Sequence, residues 1–218
     1  MKVLGVSGSP IPNSNTDRAL KMALKATGCE TEFIKLMDYN VAPCRACLGC
    51  VETNRCVNND DGVILAEKAK ASDALIIACY TPYSTIDSRT KAFTERLYPL
   101  RHIYGFMAGK PGGAIVTSAI PDKHGMLPPA GDMGVDAIRF YMMEEGMNFV
   151  GFVKVLGNVP CIKCGHGNEC KVSGLRMIFG PNATVDSVGI NRFEEQPVAM
   201  KAARELGKKI AQALKIND

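Results

Sequence analysis

The sequence predicts an α/β fold built on a doubly wound, five-stranded parallel sheet, and three observations carry that prediction. Short apolar runs of strand length recur along the 218 residues, helical periodicities separate them, and Gly, Pro and small polar residues punctuate the changes from one to the next. A single domain over residues 1–218 accommodates all of these elements. It carries one cysteine-rich segment at about residues 40–60, after the second strand, and another at about residues 157–195, before the last helix.

Residues 2–7 form an apolar run ending in Gly and Ser, the profile of a buried parallel strand opening into a loop. That loop, Ser7-Gly8-Ser9-Pro10-Ile11-Pro12-Asn13-Ser14-Asn15-Thr16, crowds hydroxyl and amide groups before a helix whose apolar positions repeat until Gly28. Free N–H groups and the helix dipole favour an anion such as phosphate there, while a capped helix behind an ordinary turn is the plain alternative. The loop matches neither G-x-G-x-x-G nor G-x-x-x-x-G-K-[ST], which disfavours a dinucleotide turn and an ATP-type loop.

Residues 31–36 alternate as a second strand near the sheet edge, Asp60 and Asp61 begin a helix through Ala71, and residues 73–79 are a strongly apolar third strand. After the loop at residues 80–88 come a helix at 89–97 and a fourth strand at 112–118, ending in Thr117 and Ser118. Residues 119–133, rich in Pro and Gly and holding His124 and Asp132, read as a lid, a subunit contact or a solvated excursion. A helix at 135–147 uses Met142, Met143 and Met147 as core or interface filling. Residues 149–156 give the fifth strand, and Pro197 opens the last helix through Ala199, Ala203, Leu206, Ile210 and Leu214. In such a sheet ligands gather beyond the carboxyl ends of the strands. Neighbouring strands lie ~5 Å apart, so a cofactor on the first loop and a metal centre after the second strand are expected to be close neighbours.

Composition excludes several classes. The net charge of +4 is mild and the 26 basic residues are scattered, so no nucleic-acid groove is indicated, although a small acidic protein partner stays open. No apolar run approaches the roughly 20 residues that span a bilayer, so no membrane association is expected. Nine cysteines with no export signal point to a reducing compartment and a cytoplasmic location.

The cysteines carry the chemistry. Cys44, Cys47, Cys50 and Cys56 follow C-x2-C-x2-C-x5-C, so one coil of backbone can aim several sulfurs at a common centre, as a cubane iron-sulfur cluster requires. A zinc site, a pair of disulfides and a redox dithiol compete with that reading. Cys161, Cys164, His166 and Cys170 repeat two of the spacings without the middle cysteine. They suit a zinc site, a reversible dithiol, thiols near the first centre, or loop thiols packed at a neighbouring subunit. Cys29 and Cys79 read as buried small hydrophobes, and His102 has no evident partner.

Over about the first 120 residues the chain resembles the NAD(P)H-dependent FMN reductase group of flavodoxin-like proteins. The resemblance lies in Ser7-Gly8-Ser9-Pro10 to Ser14-Asn15-Thr16, and in Thr81-Pro82-Tyr83-Ser84 leading to Lys91, Phe93 and Arg96. The four cysteines after the second strand narrow it to the iron-sulfur flavoproteins. The resemblance implies FMN and one [4Fe-4S] cluster in a homodimer or homotetramer, with electrons passing from ferredoxin through the cluster to the flavin and on to oxygen, peroxide or a quinone-like small molecule. It implies FMN contacts from Ser7, Ser9, Pro10, Ser14, Asn15 and Thr16 on the phosphate side, from Thr81, Pro82, Tyr83 and Ser84 at the ring, and from Thr117 and Ser118 on its far side. Cys44, Cys47, Cys50 and Cys56 are the implied cluster ligands, and no catalytic side chain is required. Two alternatives stand beside it: an NAD(P)H-dependent FMN or quinone reductase with structural zinc, and a carrier or regulatory module without turnover.

Overall fold

A computed structural model of the protein describes residues 1–122 and 124–216 and shows five parallel strands in the order β2-β1-β3-β4-β5. Lys123, within the expected lid, and Asn217 and Asp218 lie outside the described residues. The strands are β1 (Lys2–Ser7), β2 (Glu30–Lys35), β3 (Ala74–Tyr80), β4 (Pro111–Ser118) and β5 (Asn148–Leu156). In register, Gly5 faces Phe33 on one side and Ile76 on the other, and Ile77 faces Ala114. The central strands β3 and β4 are buried almost throughout, which is why their sequences are continuous apolar runs rather than alternating ones. The reversal of strand order at β1 and β3 opens a crevice at the carboxyl edge, as in the doubly wound order 2-1-3-4-5.

Helices cover both faces. On one, α1 (Asn15–Thr27) and α7 (Pro197–Ile216) pack Leu20, Ala23, Leu24, Ala203, Leu206 and Ile210 over the sheet. On the other, α2 (Gly62–Ala71), α3 (Ser88–Arg96) and α4 (Ala130–Glu144) contribute Leu65, Phe93 and Ile138. The apolar spacing of α1 fixes its buried stripe, Ser14 caps its start and Gly28 ends it in the left-handed conformation. Two short helices, α5 (Gly174–Phe179) and α6 (Val185–Val188), give the segment before α7 a small apolar centre of Val159, Leu175 and Ala183.

All five expected strands are present to within a residue or two. The main departure is α4, which starts at Ala130 rather than 135, so that Asp132 of the expected loop lies in its first turn, paired with Lys154 at 2.9 Å. The Pro-rich approach hides that start, because Pro129 at the cap supplies no side-chain acceptor and thus no capping signal.

Candidate cofactor and metal site

The loops after β1, β3, β4 and β5 interlock beyond the strand ends. Gly8 donates its N–H to the Ala78 carbonyl at 2.8 Å, and a Cβ at Gly8 would collide with the side chains of Thr90 and Asp87. Asp87 caps α3, accepting from the Thr90 N–H at 3.0 Å and the Thr90 hydroxyl at 2.7 Å. Burial pushes the Asp87 carboxyl above the usual range despite those hydrogen bonds. Thr81 donates its N–H to the Thr117 carbonyl at 3.1 Å, and the Thr16 hydroxyl donates to Thr117 Oγ1 at 2.8 Å.

Several of the residues expected on the phosphate spend their side chains on this scaffold. The Ser7 hydroxyl donates to Asp17 at 2.6 Å, and buried Asp17 is ion-paired with Lys35 at 2.6 Å. Asn15 donates to the carbonyls of Leu156 (3.2 Å) and Asn191 (2.9 Å) and accepts from the Phe193 N–H, clamping α1 to the segment before α7. Ser14 and Asp17 form a reciprocal capping box, legible in the sequence as Ser-x-x-Asp. Main-chain donors are what remain. The N–H groups of Ser9, Asn13, Asn15 and Thr16 have no partner among the described residues, the last two because they open a helix. With the helix dipole and the Ser9 and Ser14 hydroxyls they suit a phosphate, and Pro10 turns the loop without contributing a donor. Ser118 does not project as an independent contact: its hydroxyl closes a turn with the carbonyl and N–H of Ile120.

Pro82, Tyr83 and Ser84 form a tight turn in which Tyr83 (φ 50°) and Ser84 (φ 64°) are both left-handed. Such conformations cost of order 1–3 kcal/mol each for non-glycine residues and persist where the surroundings impose them. Here the turn holds the Tyr83 ring fully in solvent, free to lie against a flat ligand. Of the residues read alongside this turn, Lys91 pairs with Glu95 on the surface, Phe93 lies in the core, and Arg96 serves the cysteine loop instead.

Cys44, Cys47, Cys50 and Cys56 line one pocket, closed by Glu95, Arg96, Tyr98 and Pro99. The backbone coils there through left-handed Ala46, Leu48 and Asn54. Burial pushes the Cys50 thiol up, and the other three thiols act on it in the same direction, which places all four within electrostatic reach. Arg96 is the buried anchor. Its guanidinium makes a two-pronged pair with Asp60 (2.6 and 2.7 Å) and donates to the Ala42 carbonyl at 2.9 Å. Asp60 in turn accepts from the N–H groups of Ala42 and Gly62. The Arg96 hydrogen bonds hold the Asp60 carboxyl below its usual range. Gly62 is required here, since a Cβ would lie 2.8 Å from the guanidinium carbon. Asn54 ties the loop to the carbonyls of Pro99 (2.8 Å) and His102 (2.6 Å), and His102 Nε2 lies 3.2 Å from Cys50 Sγ, so His102 does have a partner.

This pocket was expected beside the phosphate loop and instead lies at the other end of α3. The α3 cap, Asp87, touches Gly8, whereas its last residue, Arg96, anchors the cysteine loop. Nine residues at 1.5 Å each separate the two by roughly 13 Å. Among the described residues no three His, Cys, Asp or Glu side chains are grouped to hold a single ion, in the first cysteine set or the second. Cys79 is buried in the core and Cys29 half-buried at its edge, as expected. The sequence reading missed Lys35, Asp60 and Asn54, whose partners are set by the tertiary fold, and Asp87, whose local Asp-x-x-Thr cap is visible in the sequence.

A family model described as NADPH-dependent FMN reductase matches residues 1–128. The chain is similar to an iron-sulfur flavoprotein of Methanocaldococcus jannaschii, 30% identical over 99% of this chain and 98% of that protein. It is also similar to the iron-sulfur flavoprotein of Methanosarcina thermophila, 25% identical over 99% and 96% of the two chains. Among solved structures, an archaeal flavodoxin aligns with a TM-score of 0.54 and 14% identity, covering 99% of both chains. A flavodoxin-like WrbA-type protein from Agrobacterium tumefaciens aligns with a TM-score of 0.56 and 13% identity, covering 100% of this chain and 99% of that one. Those two structural likenesses concern the fold.

Proposed function

This chain belongs to the NADPH-dependent FMN reductase family and, within it, to the iron-sulfur flavoproteins, and from that premise we propose that it carries electrons from a low-potential donor such as ferredoxin to FMN through a [4Fe-4S] cluster on Cys44, Cys47, Cys50 and Cys56. Membership makes it an FMN-dependent oxidoreductase; the cluster, donor and acceptor are our reading. When bound, the cluster exchanges single electrons and the flavin pairs them for a two-electron acceptor such as oxygen, peroxide or a quinone-like compound.

The observation that carries the reading is the pocket shared by the four cysteines. A single zinc with sulfurs at ~2.3 Å draws its ligands to within about 4 Å of one another. A cluster with one thiolate per iron corner instead needs its four sulfurs around a common pocket, and these thiols border one. Arg96, which lines that pocket, keeps its Nε buried without a partner among the described residues, a donor suited to an anionic sulfur centre. His102 stands within hydrogen-bond reach of Cys50 and positions its sulfur. On the flavin side, the unpaired N–H groups of Ser9, Asn13, Asn15 and Thr16 hold the phosphate, Thr81 and Thr117 fix the loops against each other, and Tyr83 covers the ring.

Further parts of the proposal concern assembly and location. Met133, Phe140 and Met143 of α4 are exposed apolar side chains suited to a contact within a homodimer or homotetramer. Among the described residues no helix is long and apolar enough to cross a membrane, and we place the protein in the cytoplasm. The deciding experiment is iron, acid-labile sulfide, zinc and flavin analysis of protein purified without oxygen, with visible spectra before and after reduction. About four irons and four sulfides with one FMN per chain are expected. Zinc with FMN and no sulfide would overturn the relay in favour of a nicotinamide-dependent reductase with a structural metal.

A further inference from the structure

We propose that Cys161 and Cys164 form a reversible redox pair that exchanges with a low-molecular-weight disulfide, a second reactive site separate from the first cysteine loop. Cys161 lies in a short helical turn, and Cys164 lies just past its end, still bonded to the Pro160 carbonyl. Pro160–Ile162 is a 3-10 turn, and the Pro160 carbonyl accepts from the N–H groups of Lys163 (3.0 Å) and Cys164 (3.1 Å). On such a turn positions i and i+3 eclipse and their Cα atoms lie roughly 5–6 Å apart. That falls within the range of about 4.4–6.8 Å that a disulfide bridges. Cys44 and Cys47 have the same spacing without that geometry, because Ala46 between them is left-handed.

Each sulfur has its own main-chain donor. Cys161 Sγ accepts from the Gly174 N–H at 3.3 Å, and Cys164 Sγ from the His166 N–H at 3.4 Å. The Cys164 thiol also lies 3.5 Å from the Cys161 carbonyl, which keeps it beside its partner residue. Exposure divides the roles, since Cys164 is open to solvent and Cys161 is half-buried against Val159 and Leu175.

In the exchange the Cys164 thiolate attacks one sulfur of the external disulfide, breaking its S–S bond and releasing one thiolate that takes a proton from water. Cys161, its proton lost to water, then attacks the Cys164 sulfur and releases the second thiolate, which is protonated in turn. The protein pair is oxidised by two electrons and the external disulfide is reduced to two thiols.

The test equilibrates the holoprotein without oxygen across ratios of glutathione to glutathione disulfide, traps free thiols by alkylation and maps them by peptide mass spectrometry. Cys161 and Cys164 are expected to lose alkylation together in one two-electron transition while the visible spectrum stays constant. Cys161→Ser should trap a glutathione adduct on Cys164, and Cys170→Ser should leave the transition in place. Alkylation of both thiols at every ratio, pairing of either with Cys170, or zinc bound by these sulfurs in X-ray absorption of the isolated protein would overturn the proposal.

Discussion

The two cysteine-rich segments share C-x2-C and C-x5-C spacings and differ in what holds them. The first is organised by polar groups, namely the buried Arg96–Asp60 pair, Asn54 on two carbonyls and His102 at Cys50. Its sulfurs line a pocket. The second rests on Val159, Leu175 and Ala183, and two of its sulfurs are met by main-chain N–H groups. Spacing brings thiols near one another, and in the first segment the polar scaffold beneath sets them around a shared pocket.

The largest break in that contrast should come from Arg96→Leu, which leaves Asp60 without its partner. Removing one member of a buried ion pair typically costs about 3–5 kcal/mol. We expect a loss of that order in chemical denaturation, together with loss of iron and retention of FMN. Equal iron content would show that the cysteine loop does not depend on its charged anchor. Leu175→Ala is the counterpart in the second segment, where the side chain is fully buried. Its cost should be about 2–5 kcal/mol, with iron unchanged and hydrogen-exchange protection lost at residues 159–189. Asn54→Ala removes one buried and one half-buried hydrogen bond and a residue tolerant of the left-handed conformation, for about 1–3 kcal/mol. Its denaturation midpoint should fall by less than that of Arg96→Leu.

These contrasts mark what was legible in the sequence. The strands were readable because burial on both faces leaves continuous apolar runs, and α1 because Ser14 and Gly28 announce its ends. Cys44, Cys47, Cys50 and Cys56 were readable because local spacing governs how a coil can present them. Arg96 was not, since it meets Asp60 across 36 residues and Ala42 across 54, and neither end carries a pattern pointing to the other. In the hydroxyl-rich loop the side-chain pattern was legible, but not that Ser7 and Thr16 are spent on Asp17 and Thr117, nor that main-chain N–H groups stay free beside the remaining hydroxyls.

The smallest expected effect is one of pH, and it isolates the charged scaffold from the apolar one. Asp60 has a native pKa below its ordinary value of 3.8 because Arg96 hydrogen-bonds the carboxylate. The unfolded chain therefore binds its proton first. The stabilisation from this pair is fully present above the ordinary value and is lost as pH falls through the lowered native value. Asp87 acts with the opposite sign, since burial raises its native pKa, and folding gains from its protonation as pH drops through that raised value. The two act in adjacent pH ranges, Asp87 above the ordinary carboxylate value and Asp60 below it, so together they contribute one rounded maximum to the intact protein's curve. The difference between the intact protein and Asp60→Asn should separate them. It should be largest near neutrality and shrink as pH falls below the ordinary carboxylate value in a urea-denaturation series. A difference constant across that range would mean that Asp60 contributes through shape rather than charge, and the first segment would then be held much as the second is.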